Sequence, residues 1–94
     1  MTQHINNIII TTLRDFDPIR IGIFGSYARN EETENSDIDI LVKFKKGITL
    51  LQLIRLENEL SDKLGIKVDL VTEGALTNIK LKKTISQDLE VIYE

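Results

Sequence analysis

The chain has 94 residues, of which 41% are hydrophobic and 29% are charged, and its formal net charge is −3. This length predicts a single domain over residues 1–94, and the slightly acidic balance gives no basis for direct nucleic-acid binding through a global positive field. The absence of cysteine excludes a disulfide scaffold, a thiolate metal site and a cysteine nucleophile.

The N-terminal segment, MTQHINNIII, carries neither the basic region nor the small-residue cleavage site of a signal peptide. Its apolar run at residues 8–10 is far too short to span a membrane. We therefore expect a cytoplasmic protein that does not engage a membrane.

The first half of the chain alternates between apolar and polar segments. Isoleucines and leucine at helical spacing predict a helix over 3–14, which Asp17-Pro18 ends. The run IRIGIFG, 19–25, has the length and the β-branched content of a strand. The next segment, YARNEE, is predicted to form one or two helical turns, and DIDILVKF, 37–44, is predicted to be a second strand.

The helical pattern is clearest over 50–64, where leucines and an isoleucine form one apolar face. Thr49 and Gln52 have the spacing of a capping box, and Gly65 stands where a C-terminal glycine belongs. Beyond this helix the sequence predicts a strand over 66–71, a helix over 78–86 and a fourth strand over 89–93.

This order of elements predicts a small α/β (α+β) domain, with one mixed four-stranded sheet and helices packed mainly on one face. The helical crossover between the second and third strands allows a parallel, right-handed pairing if these strands are neighbours. An antiparallel arrangement through a strand that is not adjacent stays open at this point.

Three aspartates lie in or beside apolar strands. Because side chains alternate along a strand, Asp37 and Asp39 point to one face, with Cα atoms roughly 6.5–7 Å apart. Asp69 interrupts the next apolar strand, and three carboxylates converge if it faces the same way. Such oxygen ligands suit Mg²⁺ and would support phosphoryl or nucleotidyl transfer. The alternative is that these aspartates cap turns or face solvent.

Gly25-Ser26 follows the first predicted strand. A glycine lets the backbone approach a ligand closely, a following helix start offers free N–H groups to an anion, and the serine adds a hydroxyl. Arg29 lies three residues beyond Ser26 and could reach phosphate oxygens. Alternatively, Arg29 faces solvent or pairs with a nearby acid, Glu31 or Glu32.

The stretch GSYARNEETENSDIDILV, 25–42, resembles the signature of the polymerase-β-like nucleotidyltransferase superfamily: a Gly-Ser, ten residues, an Asp-x-Asp and a later strand carboxylate. Its short form is similar to the minimal nucleotidyltransferase (MNT) branch, the antitoxins of HEPN/MNT toxin–antitoxin pairs. The resemblance implies that Gly25, Ser26 and Arg29 bind the nucleoside triphosphate. One departure is Asn30, which stands where the family usually has glycine.

The same resemblance assigns the three acidic residues. Asp37, Asp39 and Asp69 would be the catalytic carboxylates and the ligands of Mg²⁺, with Asp69 also placed to act as the base on the attacking hydroxyl. The implied reaction moves AMP from ATP to the hydroxyl of a tyrosine in a cognate HEPN toxin. The chain would form a hetero-oligomer with that toxin.

Two other functions stay open on the sequence alone: an antitoxin that neutralises its partner by binding without catalysis, and an adenylyltransferase that acts on a small molecule. The larger relatives carry a further helical domain for substrate binding, for which 94 residues leave no room. We therefore expect either that another chain presents the acceptor or that the site accepts a small molecule. The sequence does not specify the acceptor, the nucleotide or the location of the partner interface.

Overall fold

The computed structural model describes residues 2–94 and contains one sheet with three α-helices. The elements in chain order are α1 (Thr2–Leu13), a 3₁₀ turn (Arg14–Phe16), β1 (Pro18–Phe24), β2 (Ile38–Phe44), α2 (Leu50–Leu64), β3 (Val68–Thr72), a second 3₁₀ turn (Glu73–Ala75), α3 (Ile79–Asp88) and β4 (Glu90–Tyr93). In this described part of the chain, no helix is long and apolar enough to cross a membrane.

The four strands form a mixed sheet in the order β3-β2-β1-β4. β1 pairs antiparallel with both β2 and β4, whereas β2 and β3 are parallel neighbours joined by the α2 crossover. The predicted mixed sheet is therefore confirmed, and the direction of the third strand, which the sequence left open, is parallel to the second. This topology places the end of β1 beside the starts of β2 and β4, and the start of β3 lies at the same edge of the sheet.

The α2 helix begins and ends as its sequence predicts. The Thr49 hydroxyl accepts a hydrogen bond from the Gln52 backbone N–H at 3.1 Å, and the Gln52 side chain accepts one from the Thr49 N–H at 3.0 Å. At the other end Gly65 has a left-handed backbone (φ 67°), and its N–H donates to the Ser61 carbonyl. These caps satisfy backbone groups that would otherwise lack partners.

The core fills one face of the sheet. The α1 and α2 helices cover this face, so the prediction of helices mainly on one side is confirmed. The core consists of buried aliphatic side chains from both helices and from β1, β2 and β3: Ile9, Leu13, Ile21, Ile23, Ile38, Ile40, Val42, Leu56, Leu60, Val68 and Leu70. Burying such side chains supplies most of the driving force for folding, at about 25 cal/mol per Å².

The opposite face of the sheet carries a sparser set of side chains. Gly22 is the register partner of Leu41, and both alternate away from the core. A Cβ on Gly22 would lie 3.1 Å from Leu89 Cγ, so Leu89 packs directly on the β1 backbone where glycine leaves space. The junction of α3 and β4 is therefore held against the second face of the sheet.

Several predicted boundaries differ from the structure. The helix predicted over 3–14 ends one residue earlier, at Leu13, and continues as the 3₁₀ turn. The segment YARNEE, for which one or two helical turns are predicted, forms one hydrogen-bonded turn that closes at Asn30 and is too short to be a helix. β2 begins at Ile38 rather than Asp37, so Asp37 immediately precedes the strand.

Candidate active site

The Gly-Ser segment turns sharply where β1 ends. Gly25 has a positive φ of 78°, which glycine adopts without steric cost. After it, the Arg29 N–H donates to the Gly25 carbonyl at 3.2 Å, which completes one helical turn. Because this segment is only one turn long, it does not provide the helix N-terminus that the sequence predicted as an anion site. The N–H groups of the tight turn take its place.

Asn30 closes that turn. Its φ is 57°, the left-handed conformation that a glycine would adopt at this position. The Asn30 N–H donates to the Tyr27 carbonyl and the Glu31 N–H donates to the Ser26 carbonyl at 2.9 Å, the two hydrogen bonds of a Schellman motif. The asparagine therefore supports the same backbone path that glycine would support. Ser26 is half-buried within this turn.

The structure brings two of the predicted carboxylates into direct register. Asp39 on β2 is the register partner of Asp69 on β3, and on its other side it is the partner of Phe24 at the end of β1. Register partners project to the same face, so Asp39 and Asp69 leave the second face of the sheet from adjacent strands about 4.8 Å apart. Asp69 is exposed and Asp39 is half-buried.

Gly25 and Asp39 are in close contact. A Cβ added to Gly25 would lie 3.3 Å from Asp39 Cγ and would collide with Asp39 Oδ2. Only glycine allows the turn to approach the carboxylate this closely. The phosphate-binding turn and the acidic strand predicted separately from the sequence therefore lie side by side.

Electrostatic crowding is strongest at Asp39. Burial raises the pKa of its carboxyl, the negative charges of Asp69 and Asp37 raise it further, and the positive charge of Arg29 partly offsets this increase. The charges of Asp37, Asp69 and Arg29 therefore all act on the Asp39 carboxyl. Asp37 is half-buried, and the Nζ of Lys67 lies 3.9 Å from its Oδ2.

Arg29 is ion-paired, which is the second of the two interpretations that its sequence context allowed. Its Nε donates to Glu31 Oε2 at 3.1 Å, and its Nη1 donates to Asp88 Oδ2. Glu31 is a neighbour in sequence, but Asp88 is the last residue of α3, 59 residues away. No local pattern marks Asp88, so reasoning from the sequence missed it.

The donor set fits a hard divalent cation in its chemistry. The three aspartates offer carboxylate oxygens, and their mutual repulsion would be relieved by a cation bound among them. Within residues 2–94, however, no three acidic, histidine or cysteine side chains lie close enough to hold an ion by themselves. Mg²⁺ typically takes one or two carboxylates together with substrate phosphates, so a nucleotide would complete the shell.

The chain belongs to the nucleotidyltransferase domain family, whose model matches residues 7–92. A relative from Methanocaldococcus jannaschii is 61% identical over 69 residues, which cover 73% of this chain and 70% of the relative. The protein adenylyltransferase MntA of Thermococcus cleftensis is 47% identical over 73 residues, which cover 78% of this chain and 71% of that protein.

Solved structures agree with this membership. A crystal structure of a toxin–antitoxin with AMP-PNP superposes with a TM-score of 0.85 at 29% identity, over 94% of this chain and 72% of that chain. The structure of a tri-AMPylated HEPN toxin of Shewanella oneidensis in complex with its MNT antitoxin superposes with a TM-score of 0.81 at 27% identity, over 99% of this chain and 72% of that chain. The chain is therefore a nucleotidyltransferase with the MNT fold, as the sequence resemblance implied.

Proposed function

We propose that this protein is an antitoxin that transfers AMP from ATP to a tyrosine hydroxyl of a partner HEPN toxin. The observation that carries the proposal is the contact between the Gly25 turn and Asp39, with Asp69 beside it on the next strand. This arrangement would hold the phosphates of a nucleotide next to a bound cation. Relatives named as a protein adenylyltransferase and as an MNT antitoxin bound to an AMPylated toxin support the choice of reaction and partner.

In the proposed reaction the acceptor oxygen forms a bond to the α-phosphorus of ATP, and the bond from that phosphorus to the bridging oxygen of pyrophosphate breaks. Pyrophosphate leaves with the electron pair. The acceptor proton passes to the carboxylate of Asp69, which is exposed and therefore open to a residue of another protein. A bound Mg²⁺ would supply charge neutralisation on the phosphates and polarise the attacking hydroxyl.

The remaining residues position the nucleotide. Backbone N–H groups of the Gly25-Ser26 turn and the Ser26 hydroxyl would donate to phosphate oxygens, and Arg29 would add a charged donor next to them. Asp37 and Asp39 would hold the cation, which would supply positive charge next to the phosphates. The half-buried position of Asp39 makes the cation interaction stronger than it would be in open water.

The test is an AMP-transfer assay with a HEPN protein encoded beside this gene, Mg²⁺ and ATP labelled at either the α- or the γ-phosphate. We expect the α-label to appear on the toxin and the γ-label not to appear. Asp39→Asn should reduce transfer at least about 100-fold, whereas Asp62→Asn, an exposed residue of α2 on the other side of the sheet, should not change it.

Three further measurements separate the alternatives. If Asp37→Asn/Asp39→Asn protein still neutralises the toxin in cells, neutralisation occurs by binding and the catalytic proposal is wrong. If the label moves only to small molecules in a cell extract, the acceptor is not the toxin. Replacing the modified tyrosine of the toxin by phenylalanine should abolish labelling, because it removes the attacking oxygen.

A further inference from the structure

Asp88 lies outside the sequence signature but contacts a residue within it. Its Oδ2 accepts a hydrogen bond from Arg29 Nη1, and its side chain is only 21% exposed, compared with 44% for Arg29. Arg29 lies in the turn that begins at Gly25, and Gly25 is in close contact with Asp39. The pair of Arg29 and Asp88 therefore connects the end of α3 with the turn beside the acidic strand.

The position of Asp88 is unfavourable for the helix itself. It is the last residue of α3, where the backbone carbonyls give the helix end a partial negative charge, and a carboxylate there is repelled. The last turn of α3 contains no basic residue to offset it. The compensating cation comes instead from Arg29, across the fold.

The backbone on both sides of this pair is fixed. On one side, the Arg29 N–H is hydrogen-bonded to Gly25, and Asn30 closes the turn. On the other, Leu89 packs on Gly22, and Glu90 is the register partner of Ile23 in the sheet. Asp88 is thus a rigidly mounted acceptor, and it restrains an arginine that would otherwise sample many rotamers.

The geometry of Arg29 leaves capacity for a ligand. A guanidinium has five N–H donors, and among the described residues Glu31 and Asp88 accept one bond each from Nε and Nη1. Three N–H groups therefore stay available for phosphate oxygens. When some N–H groups of a guanidinium are held by the protein, the others are preorganised to donate to a ligand.

We propose that Asp88 is a positioning residue that holds Arg29 in the orientation in which it binds the triphosphate. The proposal rests on the proposed function for the role of Arg29, but it concerns nucleotide binding and does not depend on the acceptor. It predicts that the removal of Asp88 weakens nucleotide binding through Arg29 and has no separate effect.

The first measurement is titration calorimetry of the full chain with Mg²⁺ and AMP-PNP. We expect Asp88→Asn to raise the Kd about 5- to 10-fold, approaching the value for Arg29→Ala. The double variant should bind no more weakly than Arg29→Ala alone. Asp88→Glu, which keeps the charge, should recover a large part of the affinity.

Glu73→Gln is the matched control. Glu73 forms a two-point ion pair with Arg20, and Arg20 lies at the opposite end of β1 from Gly25. Glu73→Gln should leave the Kd for AMP-PNP within about twofold of the wild-type value, because it removes a comparable ion pair that lies away from the nucleotide. Thermal unfolding of Asp88→Asn and of Glu73→Gln shows whether each variant remains folded at the titration temperature.

The outcomes separate this proposal from the proposed function. Two results would overturn the positioning role and leave the AMP-transfer proposal intact. The first is an unchanged Kd in folded Asp88→Asn. The second is additivity, in which Asp88→Asn raises the Kd of Arg29→Ala by the same factor as it raises the Kd of the wild type. Weakened binding in Asp88→Asn with no AMP transfer by the wild-type chain to its toxin supports the positioning role and overturns the toxin-directed reaction.

Discussion

Asp39 and Asp69 are register partners on the adjacent parallel strands β2 and β3. A parallel pairing of these strands places the two carboxylates on one face at the same edge of the sheet, although thirty positions separate them in the chain. Gly25 brings the end of β1 against the same carboxylate. The candidate active site is therefore a consequence of the strand order, in which β2 lies between β1 and β3.

The crowding at Asp39 should cost stability in the absence of a cation. Its pKa in the folded protein is raised above the ordinary value of 3.8, first by burial and then by Asp69 and Asp37. The folded state thus binds the proton more tightly than the unfolded chain does. The contribution of Asp39 to the free energy of unfolding therefore falls as the pH rises from 3.8 through the raised pKa, and the full loss of this contribution is present at neutral pH.

Asp39→Asn should consequently raise the melting temperature at pH 7 in EDTA, by about 2–5 °C for a domain of this size. The gain should shrink as the pH approaches 3, where the wild-type carboxyl is protonated. Thermal unfolding followed by circular dichroism measures both, and Asp62→Asn controls for the loss of one negative charge from the surface. A gain of equal size at pH 3 and pH 7 would contradict the electrostatic explanation.

Divalent cation and nucleotide together should reverse this cost. A ligand that binds only the folded state at 100 times its Kd stabilises by about 2.7 kcal/mol, so Mg²⁺ with AMP-PNP should raise the wild-type melting temperature by about 10 °C or more. Asp37→Asn/Asp39→Asn should lose most of the increase because it lacks two oxygen donors. If the double variant is stabilised as much as the wild type, these residues do not hold the cation.

The contact between Gly25 and Asp39 predicts a specific cost for one methyl group. In Gly25→Ala the new Cβ would meet the Asp39 carboxylate, at a backbone φ of 78°. We expect the free energy of unfolding to fall by about 2–4 kcal/mol, from the left-handed backbone and the collision together. Urea denaturation measures this change, and AMP transfer should be lost because Asp39 is displaced.

Two other glycines separate the two causes. Gly65 also has a left-handed backbone (φ 67°), but nothing lies within 4 Å of an added Cβ, so Gly65→Ala should cost only about 1–2 kcal/mol. Gly47 has neither constraint, and Gly47→Ala should be neutral or slightly stabilising. Equal costs at Gly25 and Gly65 would show that the Asp39 contact carries no energy.

Much of this fold can be predicted from local patterns. The α2 helix has the predicted ends because Thr49, Gln52 and Gly65 act through hydrogen bonds within a few residues. The alternation of Asp37, Ile38 and Asp39 likewise places the acidic face of β2. Because these features depend on residues that are close in the chain, they can be predicted from a single sequence.

The features that the sequence could not specify depend on contacts between distant segments. Parallel pairing of β2 with β3 depends on where the α2 crossover packs, and the sequence allowed another arrangement. The pairing of Arg29 with Asp88 depends on Leu89 packing against Gly22, and nothing near Asp88 in the sequence indicates a partner. For YARNEE the sequence allows one or two helical turns, and the structure has one because Asn30 closes the segment with a left-handed backbone.

Asn30 offers a direct test of that turn. Because its φ is 57°, Asn30→Gly should preserve the backbone, with stability within about 0.5 kcal/mol of the wild type and AMP transfer within about twofold. Asn30→Val should cost about 1–2 kcal/mol, since a β-branched residue resists the left-handed region. It should also weaken AMP-PNP binding, because an open turn no longer presents Arg29.

Asn35→Val provides the matched comparison, since Asn35 is also an exposed asparagine of the same loop and has no positive φ. That variant should change neither urea stability nor the Kd for AMP-PNP beyond about twofold. If Asn30→Val binds the nucleotide as the wild type does, the Schellman closure is dispensable for the site. If Asn30→Gly binds more weakly, the asparagine side chain itself, and not only its backbone conformation, contributes to the nucleotide site.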